Sequence, residues 1–230
     1  MPTVSIKAAR KDQLWHRIRG AVDGYAAGIV RLIGEAYGVD TVQQAWREFT
    51  LGEHQAFNCS DPHAELFFSW LFHRWSPTRE KGSKLGDSSL YGVSPTRAYL
   101  DRNSSRLHPL LQRYLETCLV TSPGFYQVTN CRPNIGFEAH DVMTGEGREV
   151  SEELASTSIA NGDIMFAHLI PLEGATMLEA ISPLSFPPTA KACLKRLYRA
   201  YDHVPAAPQP RELYFALAQS ALYRSAQTVH

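Results

Sequence analysis

The chain has 230 residues, 44% of them hydrophobic and 20% charged, enough apolar side chain for one sizeable core or two small domains. Its 23 basic and 23 acidic residues cancel, which weighs against a dedicated nucleic-acid binder, and no stretch offers the roughly 18 uninterrupted apolar residues of a membrane span. Residues 1–11 lack the order of a secretory signal and Cys59, Cys118, Cys131 and Cys193 have no framework spacing, so the sequence reads as a soluble cytoplasmic protein with free thiols.

Leu14, Ile18, Val22, Tyr25, Ile29 and Leu32 recur at steps of three and four, which predicts one helix over residues 12–37. Gly20, Gly24 and Gly28 stand at i, i+4 and i+8. Each costs about 0.8–1 kcal/mol of helix propensity relative to Ala, so they are predicted to line a groove that another element approaches closely. A second helix starts at Asp40 as N-cap and carries Val42, Ala45, Trp46 and Phe49. A third begins at Asp61-Pro62 and carries Leu66, Phe67, Trp70, Leu71 and Trp75 before Pro77 ends it. Residues 77–92 turn polar and glycine-rich, with Arg79, Lys81 and Lys84, and read as a loop. Ser94-Pro95 and His108-Pro109 each open a further helix, the second burying Leu111, Tyr114, Leu115 and Cys118.

After Gly124 the period changes to that of strands. Runs at 125–131, 135–143, 149–151, 164–170 and 175–181 are separated by Pro133-Asn134, Thr144-Gly145-Glu146-Gly147, Asn161-Gly162-Asp163 and Glu173-Gly174. Residues 164–170 are apolar on both pleat faces and are expected to be the central strand. Beyond Pro187-Pro188, residues 189–201 read as a helix, and a last helix runs from about Arg211 to Arg224 after a proline-rich linker. The expected fold is α+β: a helical region over 1–122, a small five-stranded β-barrel-like module over 123–187, and C-terminal helices over 188–230, packed as one globular unit. Residues 124–187 hold two arginines against nine carboxylates, a balance of −7, so the remainder of the chain carries +7. Such a module attracts a basic partner, or the chain's own basic helices, over about a Debye length of ~8–10 Å.

Five stretches, Ala45-Trp46-Arg47-Glu48-Phe49, Phe68-Ser69-Trp70-Leu71-Phe72-His73-Arg74-Trp75, Phe125-Tyr126-Gln127-Val128, Asp141-Val142-Met143-Thr144-Gly145-Glu146 and Gly162-Asp163-Ile164-Met165-Phe166-Ala167, resemble a family of uncharacterised bacterial proteins. Many of its members end in a SEC-C motif, the zinc-binding tail also found on the SecA translocase motor. The resemblance covers roughly residues 42–188. It implies no zinc here, because no cysteine follows Cys193 and the tetrahedral site of that tail cannot form. Nor does the resemblance supply catalytic residues.

Three groups carry candidate chemistry. His54, Cys59 and His63 fall within ten positions, with His73 one helix away, and are metal-capable, but their spacing matches no standard zinc knuckle, and the alternative is a cysteine that precedes a helix cap beside partly exposed histidines. His140-Asp141 and His168 sit on predicted strands where an imidazole and a carboxylate could form a buried acid–base pair, against the alternative of hydrogen-bonded structural residues, with Asp141 holding local backbone amides. Lys191, Lys195 and Arg199, with Arg196 beside them, form a basic helical stripe that could meet a phosphate backbone or the acidic surface of a protein partner, against the alternatives of a solvated helix face or docking onto the acidic module of the same chain. No phosphate loop, nucleophile elbow or dinucleotide fingerprint occurs. The leading expectation is a non-catalytic protein-interaction or adaptor protein without cofactor. A nucleic-acid- or ribosome-associated factor using the basic helices comes second, and an enzyme with a site near His140 and His168 third.

Overall fold

A computed structural model of the chain describes residues 6–38, 40–52, 56–78, 87–201, 209–219 and 224–225, with backbone alone for 6–12, 201 and 224–225. No helix among the described residues is long and apolar enough to cross a membrane. The loop cations Arg79, Lys81 and Lys84 lie outside the described residues. Contacts divide the chain into two units, Met1–Thr121 with Ile170–Ala175, and Ser122–Leu169 with Thr176–His230.

The first unit is helical: α1 (Ile6–Val22), α2 (Tyr25–Leu32, extended by a π turn to Tyr37), α3 (Asp40–Phe49), α4 (Ala64–His73), α5 (Pro95–Asn103) and α6 (Pro109–Val120). The single helix expected over 12–37 is broken at Gly24, whose φ of +76 is left-handed, a conformation that ends a helix and suits glycine. Of the three spaced glycines only Gly28 meets a neighbour: a Cβ there would lie 2.8 Å from Tyr99 Oη, whereas nothing comes within 4 Å of one on Gly20 or Gly24. Proline at N1 with a capping side chain starts α5 and α6, where Ser94 Oγ accepts from Arg97 N–H (3.4 Å) and His108 Nδ1 from Leu110 N–H (3.2 Å). The core is aromatic. Trp46 and Phe67 meet edge to face at 5.0 Å, with Phe49 and Phe57 against both, geometry that adds to the effect of area burial.

The second unit is built on an antiparallel sheet of β1 (Gly124–Arg132), β2 (Gly136–Asp141), β3 (Gly147–Val150), β4 (Ile164–Leu172), β5 (Ala175–Phe186) and the two-residue β6 (Arg224–Ser225), with α7 (Ala155–Ser158), α8 (Ala190–Tyr201) and α9 (Pro210–Gln219). The order is β3-β2-β1-β4-β5-β6. β4 is central and buried along nearly its whole length, as its two-faced apolar run predicted. The turn residues fall where expected: Asn134, Gly145 and Gly162 have positive φ, and Glu173 (+51) and Gly174 (+88) make the two-residue turn between β4 and β5, both residues left-handed as a type I′ hairpin requires.

The sheet is not a barrel. Among the described residues β3 and β6 end the strand order with no ladder joining them, and closure needs the first and last strands to pair. The physical reason is visible in what covers each face. On one face Tyr126, Val128, Phe137, Ala139, Val150, Met165, Ala167 and Leu169 pack with Ile159, just beyond α7. On the other, Tyr214 of α9 stacks on Phe166 (5.0 Å, 16°) and meets Phe186 edge-on (6.0 Å). Flanking segments bury both faces of the central strands, so the sheet need not curl on itself to hide one.

Candidate interaction surface

Strand register decides which polar residues share a face. Gln127 opposes His140, Thr129 opposes Glu138, and on the next strand His140 opposes Gly147 and Glu138 opposes Glu149. These side chains share the face of Phe125 and Phe166, but beyond the aromatic contacts of α9. His140 Nε2 lies 3.5 Å from Glu138 Oε2, with the two side chains 38% and 43% exposed. Thr129 Oγ1 donates to the same carboxylate at 3.4 Å, and Arg132 reaches Glu149 at 3.7 Å. The His140 ring covers Gly147 so closely that a Cβ there would be 2.8 Å from its Cε1. The β2–β3 end of this face is thus polar and solvated.

His168 is on the same face of the sheet but elsewhere. Gln127 stands between His140 and Ile164, so His168 is two strands across and four residues along, on the order of 16 Å away. It is fully buried while His140 is half-exposed, and the two imidazoles cannot share a proton or a ligand. Asp141 does what the local alternative expected: its Oδ1 accepts the backbone N–H groups of Met143 and Thr144, both at 2.8 Å, which builds the turn between β2 and β3. Across from it, Tyr126 is pushed up to about 12 by burial, with Asp141 adding to the effect. Tyr198 is likewise pushed up to about 12, by burial and then by Asp141 and Tyr126.

The basic stripe of α8 divides. Lys191 is half-buried, and its Nζ donates to Gln127 Oε1 at 2.6 Å. Leu194 is buried, Lys195 is half-buried, and Arg196 and Arg199 face solvent. Lys191 therefore ties α8 to a neutral amide of β1, not to a carboxylate as charge alone suggested.

Of the metal-capable group, His54 lies outside the described residues. Cys59 is exposed, and His63 Nδ1 faces Asp61 Oδ1 at 3.2 Å, where Asp61 also accepts the His63 backbone N–H. Among the described residues neither Cys59 nor His63 stands with two other metal-capable side chains. Cys131 is held by its fold: the thiol donates to Ser156 O (3.4 Å) and Ile159 O (3.6 Å), and burial pushes it up.

The feature the sequence did not single out is Leu154. It is 81% exposed, directly after Glu152 and Glu153 and at the start of α7. The turn that carries it is fastened by hydroxyls: Ser156 Oγ donates to Glu153 O and Thr157 Oγ1 to Leu154 O, each at 2.7 Å. Ser156 and Ile159, both C-terminal to Leu154, are buried and flank the exposed Thr157 and Ser158. An apolar side chain is thus displayed on a fixed backbone in the acidic part of the chain. Nothing in the residue pattern around Leu154 separates it from a core leucine, because its exposure depends on which way α7 rolls against β1 and β2.

Compared with family models, curated proteins and solved structures, the chain matches none, and these comparisons neither support nor oppose the resemblance to SEC-C-associated proteins.

Proposed function

We propose that the chain is a non-catalytic interaction protein whose second unit holds a protein partner at the segment around Leu154. The observation that carries this reading is the 81% exposure of Leu154 on a hydroxyl-fastened turn beside Glu152 and Glu153. An apolar anchor on a rigid backbone loses little conformational entropy on docking, and burying a leucine contributes about 1.5–3 kcal/mol. The surplus of seven negative charges over residues 124–187 selects a partner whose contact surface is basic around an apolar pocket, because complementary potential raises the association rate and rejects acidic competitors.

The test is affinity capture with the full-length chain as bait, with Leu154→Asp and Glu153→Lys baits in parallel. The expected result is a partner retained by the unaltered chain at ~100 mM salt and lost at least about tenfold with Leu154→Asp, the Glu153→Lys effect shrinking as salt rises. A partner that binds all three baits equally overturns the assignment of this surface.

A second reading keeps one specific observation: Arg196 and Arg199 face solvent on α8, so those cations remain available to a phosphate backbone. RNA or DNA binding that falls with salt and disappears on Lys195→Glu, Arg196→Glu and Arg199→Glu together favours a nucleic-acid-associated factor. Lys191 is left out of that variant because its bond to Gln127 makes it a packing residue. The absence of binding at ~50 mM salt ends this reading.

A further inference from the structure

We draw no further inference here: the strongest candidate, the exposed Leu154 with Glu152 and Glu153 at the start of α7, belongs to the surface already proposed for a protein partner, and nothing in the structure shows what covers it.

Discussion

Glycines at four positions show how differently one residue type is used. Gly136 has a φ of +148, and a Cβ there would lie 2.2 Å from the backbone oxygen of Val150. A backbone atom in a strand pair cannot step aside, so Gly136→Ala should cost at least about 2 kcal/mol, read as a lower urea midpoint. Gly147→Ala meets only the ring of His140, which is 38% exposed and can swing outward; its cost should stay below about 1 kcal/mol. In α1, Gly20 has open space where a methyl would go, and Gly20→Ala should stabilise by about 0.5–1 kcal/mol through helix propensity. Gly28→Ala should show no such gain in thermal melts, because Tyr99 occupies the space. The i, i+4, i+8 spacing showed that glycines recur. It could not show which of them a neighbour approaches, since Tyr99 is 71 positions away in the chain.

Elements were legible wherever their signal is local. The helix starts at Ser94-Pro95 and His108-Pro109 and the turns at Gly145, Asn161-Gly162 and Glu173-Gly174 rest on cap and turn chemistry within four residues, and all are observed. Element ends were less legible: α4 stops at His73, leaving Trp75 buried but outside the helix, and Arg224, expected to end the last helix, pairs with Ser185 in β6. The role of α9 was the least legible. Its residues Leu213, Tyr214, Phe215 and Leu217 are buried, and Tyr214, fully buried on Phe166 and Phe186, makes this helix part of the sheet's core. Tyr214→Ala should destabilise the chain by about 3–5 kcal/mol by denaturant unfolding, as cavities left by large aromatics do. Tyr214→Phe, which keeps the ring, should cost far less. A sequence window sees α9 only as amphipathic, because the surface it covers is built from residues some thirty to ninety positions earlier.

At the scale of the whole molecule, charge and titration join distant parts of the chain. Tyr126 on β1 and Tyr198 on α8 both hold their protons to about pH 12, chiefly through burial and then through Asp141. The unfolded phenols ionise near pH 10, so between about pH 10 and 12 the unfolded chain releases protons that the folded chain keeps. Stability from these groups is present in full below about pH 10 and is lost as pH rises toward 12. Urea midpoints measured at pH 9 and pH 11 should therefore fall, and Tyr126→Phe should flatten that fall, by an amount on the order of 1–2 kcal/mol. Composition and local residue order together determined that the chain folds, that residues 124–187 are acidic, and that they form short strands around an apolar central one. Those are properties of local sequence, fixed by residue count, alternation and turn chemistry. Tertiary structure decided that the sheet stays open, that Lys191 docks on Gln127 across 64 positions, that His140 and His168 stand apart, and that Leu154 faces outward. Each depends on which faces are covered by segments remote in the chain, and long-range contact is information that periodicity does not carry.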